Sequence, residues 1–185
     1  MSDIDDTDTV QVAGLDALQE LLDIEAIKRL KASYFSCMDE REWEQFADLL
    51  TDDFEVIFAV PEEQFSPPDA TRLSDGRVQA DRARLIAWMQ VSSQGMTTVH
   101  HAHMPVIEIT SPDSATGRWA MTDYTRSETE TGPMWLASYG SHRETYRRCR
   151  DGRWPICHSV FERHDLYSLP GTPPPIHHEH GRLPS

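Results

Sequence analysis

Several features that would place a protein in a well-known class are missing from this sequence of 185 residues. It contains no asparagine, so it has no site for N-glycosylation. Its three cysteines, Cys37, Cys149 and Cys157, are odd in number and lack C-x-x-C spacing, so we expect reduced thiols rather than a disulfide framework. No apolar run approaches membrane-spanning length, and no basic and apolar leader opens the chain. We therefore expect a soluble, cytoplasmic protein.

Positive charge is also scarce. The 17 Lys and Arg residues face 31 Asp and Glu residues, which gives a net charge of −14. An acidic surface repels phosphate backbones and anionic lipids, so we expect neither a nucleic-acid nor a membrane partner. The sequence also lacks a P-loop, a G-x-G-x-x-G fingerprint and a G-x-S-x-G elbow. These absences argue against nucleotide binding and against a serine hydrolase of the α/β type.

What remains is a pattern of helices followed by strands. Apolar residues recur at helical spacing from Leu15 to Met38, which predicts an amphipathic helix. The pattern then predicts a short helix at residues 42–50, a strand at 54–60, a long loop at 62–76 and a third helix at 78–90. Four β-rich segments follow, at residues 97–110, 115–128, 134–150 and 153–167. This order predicts an α+β fold in which the helices close one face or end of a curved sheet.

The chain length fits one domain with a single sizeable core. We predict that this domain spans residues 15–168. The preceding residues 1–14, with four aspartates among the first nine, predict an acidic flexible tail. Residues 169–185 are rich in Pro and His and predict a second tail.

A tyrosine and an aspartate near the end of the first helix are candidate functional residues. Tyr34 lies near the middle of the apolar stripe, whereas Asp39 lies at its edge. On a helical wheel the directions of the two side chains diverge by roughly 140°. One interpretation is a core tyrosine followed by a solvated carboxylate. The other places both groups at a pocket, with Asp39 orienting a histidine and lying at a frayed helix end where the wheel no longer applies.

The segment VHHAHMP supplies His100, His101 and His103 as partners for such a carboxylate. Alternate strand residues share a face, so His101 and His103 point away from His100. Gly95, His101, His103 and Glu108 also fit half of a cupin metal motif. The second half is missing and the helical first half of the chain does not suit a jelly roll, so we expect no metal.

Four stretches carry a resemblance to a known family: DIEAIKRLKASYFSCMDEREW, HHAHMPVIEI, ATGRWAMTD and DGRWPICHSVFER. Together they resemble the bile acid 7α-dehydratases, in the SnoaL-like branch of the NTF2-like superfamily. The resemblance implies a cone-shaped α+β barrel with N-terminal helices on a strongly curved, mainly antiparallel sheet. It implies Tyr34, Asp39 and His100 as catalytic residues. It also implies Arg163 and His103 as residues of the substrate pocket.

The same resemblance implies loss of water from a 7α-hydroxy-3-oxo-4-ene steroid, with no cofactor because no oxidation state changes. The steroid, free or as a coenzyme A thioester, would lie in an apolar cavity. Its walls would include Trp88, Met104, Trp119 and Phe161, although each of these residues taken singly suits the core better than a pocket wall. The family also implies a homo-oligomer, a trimer or a dimer. The alternatives are a ketosteroid isomerase, a dehydrochlorinase or a polyketide cyclase that uses the same residues, or a non-catalytic ligand-binding module.

Overall fold

A computed structural model describes residues 6–59, 66–130 and 132–168, with side chains described from Asp16 onward. Outside this part of the chain lie the first five residues, the start of the predicted loop at residues 62–65, and the predicted tail at residues 169–185. In chain order the elements are α1 (Asp6–Glu40), α2 (Trp43–Asp48), β1 (Leu50–Phe58), β2 (Thr71–Arg72), β3 (Val78–Asp81), α3 (Arg82–Ser92), β4 (Met96–Ala102), β5 (Val106–Ser111), β6 (Ser114–Thr129), β7 (Gly132–Arg147) and β8 (Ile156–Ser168).

The strands form one mixed sheet in the order β2-β3-β1-β8-β7-β6-β4, and β5 pairs with the other part of β6. Among the described strands β1 and β8 are parallel, and the other pairs are antiparallel. Helix α1 contacts β4 and β5, whereas α2 and α3 contact β1. The predicted α+β architecture is therefore confirmed, with a curved sheet that is mainly antiparallel.

Several predicted boundaries differ from the structure, and three of them concern the first long helix, the third helix and the histidine-rich strand. The predicted strand at residues 97–110 is two strands, because Pro105 has no N–H to donate to a ladder and interrupts the pairing. The third helix starts only at Arg82, since Val78–Asp81 pairs with β1 as a strand. There Asp81 caps the helix by accepting a hydrogen bond from the backbone N–H of Arg84. Helix α1 begins at Asp6, within the residues predicted as a tail.

One face of the two long central strands is buried. On β6 the alternate residues from Ala115 to Asp123 are buried, and on β7 so are those from Gly140 to Tyr146. This strict period of two places their side chains against the helices. Ile27, Phe46 and Trp154 are fully enclosed in the same core, and burying one such side chain contributes roughly 1.5–3 kcal/mol.

The core also encloses an ion pair. Lys31 of α1 has no exposed surface, and its Nζ lies 2.5 Å from Oε1 of Glu144 on β7. Tyr146 donates a hydrogen bond of 2.5 Å to Oε2 of the same carboxylate. Burial lowers the pKa of Lys31, and the Glu144 carboxylate opposes that shift. The pair links the first helix to the middle of the sheet.

We predict that Lys31→Met destabilises the protein by roughly 3–5 kcal/mol, because it leaves the Glu144 charge buried without its cation. Lys28→Met is the matched control. Lys28 is half-exposed and pairs with Glu25 at 3.7 Å, and such surface pairs contribute at most about 1 kcal/mol. Urea denaturation measures both variants. Equal midpoints for the two would contradict the structural role of the buried pair.

Candidate active site

A cavity of about 180 Å³ lies between the three helices and the sheet. Its lining is mostly aromatic and aliphatic, with a few polar groups. The residues are Tyr34, Phe35, Met38, Arg41, Trp43, Val56, Phe58, Leu85, Trp88, Met89, Ser92, Ser93, Met96, Thr98, His100, Met121, Asp123, His142, Phe161 and Arg163. The lining reaches the surface at Met96, which is 38% exposed. An apolar hollow with a few convergent polar groups is typical of a small-molecule site.

The end of α1 and strand β4 bring Asp39 and His100 together at this cavity. The distance from Nδ1 of His100 to Oδ1 of Asp39 is 2.6 Å. The backbone N–H of His100 donates to Oδ2 at 2.9 Å, and the hydroxyl of Thr98 donates to Oδ1 at 2.8 Å. Three donors therefore converge on one carboxylate, so its position and orientation are fixed.

These hydrogen bonds determine the charge of Asp39. Burial acts to raise the pKa of its carboxyl group, but the hydrogen bonds from His100 and Thr98 and the charge of His100 outweigh burial and lower it. Asp39 is thus ionised at neutral pH. A carboxylate beside Nδ1 favours the tautomer that carries its proton there. The other ring nitrogen of His100, Nε2, is then free to accept a proton from a molecule in the cavity.

Arg41 holds the turn that follows α1. Its backbone has φ of 66°, a left-handed conformation that ends the helix. Its guanidinium donates to the carbonyl oxygens of Met38 and Met96 and to the hydroxyl of Thr98, the last at 3.0 Å. Since that hydroxyl accepts from Arg41, its own hydrogen is available for Asp39. Arg41 thereby fixes both the helix end and the direction of the Thr98 hydrogen bond.

Tyr34 lies on the cavity wall one and a half turns before Asp39. Its ring packs on Phe46 at 4.7 Å between centroids, and Nζ of Lys31 lies 4.2 Å from the ring centre. Burial, and then the charge of Glu144, raise the pKa of its phenol. The hydroxyl therefore keeps its proton and can donate a hydrogen bond. The predicted fraying of the helix is wrong, because α1 is regular through Glu40. Asp39 instead reaches the cavity through the imidazole of His100.

The structure places the other predicted residues in two groups. Arg163, Trp88 and Phe161 line the cavity. Met104 does not, since it follows β4 and is 94% exposed. His103 is also exposed, and its Nε2 lies 3.3 Å from the hydroxyl of Thr122.

Trp119 is buried but lies outside the cavity lining. Its Nε1–H donates to the hydroxyl of Tyr146 at 2.8 Å, within the part of the core beside the ion pair. The prediction that Met104, His103 and Trp119 line the cavity is therefore wrong in position. Apolar residue type suggested a wall position for Met104 and Trp119, and the family resemblance suggested one for His103. The break at Pro105 and the depth of the core place them elsewhere. The catalytic and substrate-binding roles of the other residues stay predictions.

Two buried polar residues of the wall were missed by the sequence analysis. Asp123 of β6 is buried and accepts a hydrogen bond from the hydroxyl of Ser138. His142 of β7 is buried between Tyr34 and Phe161. Period-two alternation places His142, Glu144 and Tyr146 on one face of β7, and that pattern could have identified these three residues as inward-facing. The Arg residues in the same segment obscured it.

Metal ligands do not converge in the part of the chain that the structure describes, where no three His, Cys, Asp or Glu side chains are grouped to hold an ion. His101 of the alternative metal motif packs against Tyr124, at 6.2 Å between ring centroids. Among the described helices, none is long and apolar enough to cross a membrane.

Comparison with solved structures identifies the same fold in several proteins. A hexachlorocyclohexane dehydrochlorinase (LinA, type 2) is 18% identical, with 86% of this chain and 99% of that chain covered and a TM-score of 0.65. A candidate scytalone dehydratase from Novosphingobium aromaticivorans is 20% identical, with coverages of 82% and 91% and a TM-score of 0.64. A single-residue variant of Rv3472, a Mycobacterium tuberculosis protein of unknown function, is 20% identical, with coverages of 80% and 75% and a TM-score of 0.58.

At these identities the likeness establishes the fold alone. The sequence gives a further finding, since the family model of the SnoaL-like domain matches residues 19–160. That range includes the part of α1 that lines the cavity, the whole of α2, α3 and β4, and β8 up to the residue before Phe161. With its helices packed on a curved sheet around an apolar hollow, the chain belongs to the SnoaL-like domain family, within the NTF2-like fold.

Proposed function

We propose that this protein is a cofactor-independent lyase that eliminates water from a small hydrophobic substrate. The observation that carries the proposal is the Asp39–His100 pair, 2.6 Å apart at the wall of an apolar cavity. A neutral imidazole whose Nδ1–H is held by a carboxylate is a general base, and the carboxylate stabilises the imidazolium that forms. Elimination of water changes no oxidation state, so the proposed reaction requires no redox cofactor.

The substrate class we propose is a 7α-hydroxy-3-oxo-4-ene steroid. In that molecule the enone acidifies the hydrogens on C6, because the charge left after proton removal spreads to the 3-oxo oxygen. Nε2 of His100 takes the C6 proton, a C6–C7 double bond forms and the C7–O bond breaks. The proton then leaves with the hydroxyl group as water, and the product is a 4,6-dien-3-one. His100 returns to its neutral state.

Two further residues of the wall fit this reaction. Tyr34 keeps its phenolic proton and would donate a hydrogen bond either to the developing oxyanion or to the departing hydroxyl group. Such a donor acts in a water-poor cavity, where electrostatic stabilisation is stronger than in water. Arg163 brings a positive charge to the lining and would attract the oxygen on which negative charge develops.

The cavity size limits how much of a steroid it can enclose. Sites for drug-sized ligands span about 300–1,000 Å³, and this cavity measures about 180 Å³. We therefore propose that the reacting rings lie inside and that the side chain leaves past Met96. A carboxylate or a coenzyme A thioester on that side chain would then lie outside the cavity. Assembly into a homo-oligomer remains a proposal as well.

Elimination of hydrogen chloride is the second candidate function. It needs the same base and differs only in the leaving group. A dehydrochlorinase shares the fold over 86% of this chain. A ketosteroid isomerase, by contrast, would shift a double bond without losing any group. Products separate these reactions, since a dienone absorbs at longer wavelength than an enone and chloride release is measured directly.

We predict that His100→Gln and Asp39→Asn each lower kcat for steroid dehydration by about 10²–10⁴-fold, the usual contribution of positioned acid–base groups. The assay follows dienone absorbance with the free steroid acid and with its coenzyme A thioester. His101→Gln is the matched control, because His101 is the next residue of the strand and packs on Tyr124 rather than in the cavity. Retention of activity within a few-fold in both site variants would refute the assignment of the base.

A further inference from the structure

A second imidazole lies on the cavity wall, on the strand that contributes the buried ion pair. His142 is 6% exposed and lines the cavity. Its Nδ1 is enclosed and has no hydrogen-bond partner among the described residues, and it lies 3.6 Å from Oε1 of Glu144. His142 lines the cavity while its Nδ1 is enclosed, which leaves Nε2 as the nitrogen available to a ligand. A buried polar side chain in this setting calls for a functional explanation.

Glu144 decides which nitrogen of His142 carries the proton. Its carboxylate is held by Lys31 at 2.5 Å and by the hydroxyl of Tyr146 at 2.5 Å. Tyr146 in turn accepts a hydrogen bond from Trp119 at 2.8 Å. An N–H directed at this carboxylate is attracted, whereas a lone pair would be repelled. The proton therefore lies on Nδ1, and Nε2 presents a lone pair to the cavity.

His142 differs from His100 in its surroundings. Its ring lies between aromatic groups, 5.0 Å from Phe161 and 5.8 Å from Phe35 between centroids. Burial lowers the pKa of His142 well below its usual range, and repulsion from Lys31, from His100 once it is protonated, and from Arg163 lowers it further. His142 stays neutral and does not supply a proton. His100 is partly accessible and paired directly with Asp39. Two imidazoles in such different environments point to two different roles.

We propose that Nε2 of His142 accepts a hydrogen bond from a hydroxyl group of the bound ligand, and so makes the cavity selective for hydroxylated rings. This inference rests on the proposed function, in which that hydroxyl is the leaving group. His142 would hold the hydroxyl hydrogen, so that an oxygen lone pair faces the proton carried by His100. When that proton reaches the oxygen, the C–O bond breaks and water leaves. His142 is unchanged, and its acceptor disfavours a halide at the same place.

The test compares two ring probes that differ in one hydrogen-bond donor. 2-Naphthol has a hydroxyl group and 2-methoxynaphthalene has none, and isothermal titration calorimetry measures both dissociation constants. We expect the unaltered protein to bind 2-naphthol about tenfold more tightly, as one net hydrogen bond in a dry cavity provides. His142→Phe removes the acceptor among aromatic neighbours, and we expect it to abolish the preference. His101→Phe, the same change on the outer side of β4, should leave the preference intact.

Equal or absent binding of the two probes by the unaltered protein would overturn the inference, as would a preference that survives His142→Phe. The inference would also be overturned if the preference disappeared in His100→Gln but persisted in His142→Phe, because His100 would then be the acceptor. ¹⁵N NMR of the unaltered protein gives a second measurement that needs no variant. On addition of 2-naphthol the Nε2 resonance of His142 should move, and an unmoved resonance would contradict the proposal.

These outcomes are separable from those of the proposed function. The probes cannot undergo elimination, so their binding does not depend on turnover. If the unaltered protein does not dehydrate the steroid but prefers 2-naphthol, the proposed reaction is refuted and the hydroxyl-binding role of His142 stands. If it dehydrates the steroid but shows no preference for 2-naphthol, the proposed reaction stands and the role of His142 is refuted.

Discussion

The hydrogen bond between Asp39 and Nδ1 of His100 is the interaction on which the proposed chemistry depends. An imidazole alone in an apolar wall can point either nitrogen into the cavity. With the carboxylate on one side, the ring is fixed and its basic nitrogen faces the hollow. The pair forms where α1 ends, one residue after Asp39, and Arg41 ties this helix end to β4. A local feature of the backbone therefore determines the geometry of the site.

Glu144 and Asp39 are two carboxylates that serve different purposes. Glu144 is fully buried, paired with Lys31 and bonded to Tyr146, so its charge is neutralised where it stands. Asp39 has a partly exposed side chain, and among the described residues no basic side chain other than His100 is bonded to its carboxylate oxygens. Because Lys31 already neutralises Glu144, an imidazolium that formed beside Glu144 would be stabilised little. Asp39 stabilises an imidazolium more strongly, because its cationic partner is the His100 imidazolium that forms during the reaction. Burial and pairing thus separate a structural carboxylate from one suited to catalysis.

The sequence predicted the parts of the site that follow from local pattern. Helical spacing identified the stripe that contains Tyr34, and the histidine-rich segment together with the family resemblance identified His100 and Asp39. Alternation does not reveal how deep a residue lies, so Trp119 was predicted on the cavity wall although it packs beside the ion pair. Met104 was predicted inside because its type is apolar, but Pro105 interrupts the strand there and leaves the side chain in solvent. His142 and Lys31 lie far apart in the chain, and only the packing of α1 on the sheet brings them to one place. Such long-range pairings are set by tertiary packing rather than by any window of sequence.

The tautomer of His100 tests the central claim most directly, because it can be read without knowledge of the substrate. ¹⁵N NMR of the histidine side chains distinguishes an imidazole protonated at Nδ1 from one protonated at Nε2. In the unaltered protein at a pH where the ring is neutral, His100 should be protonated at Nδ1, and Asp39→Asn should shift the population toward Nε2. A His100 ring protonated at Nε2 in the unaltered protein, or one whose spectrum is indifferent to Asp39→Asn, would contradict the role assigned to the pair.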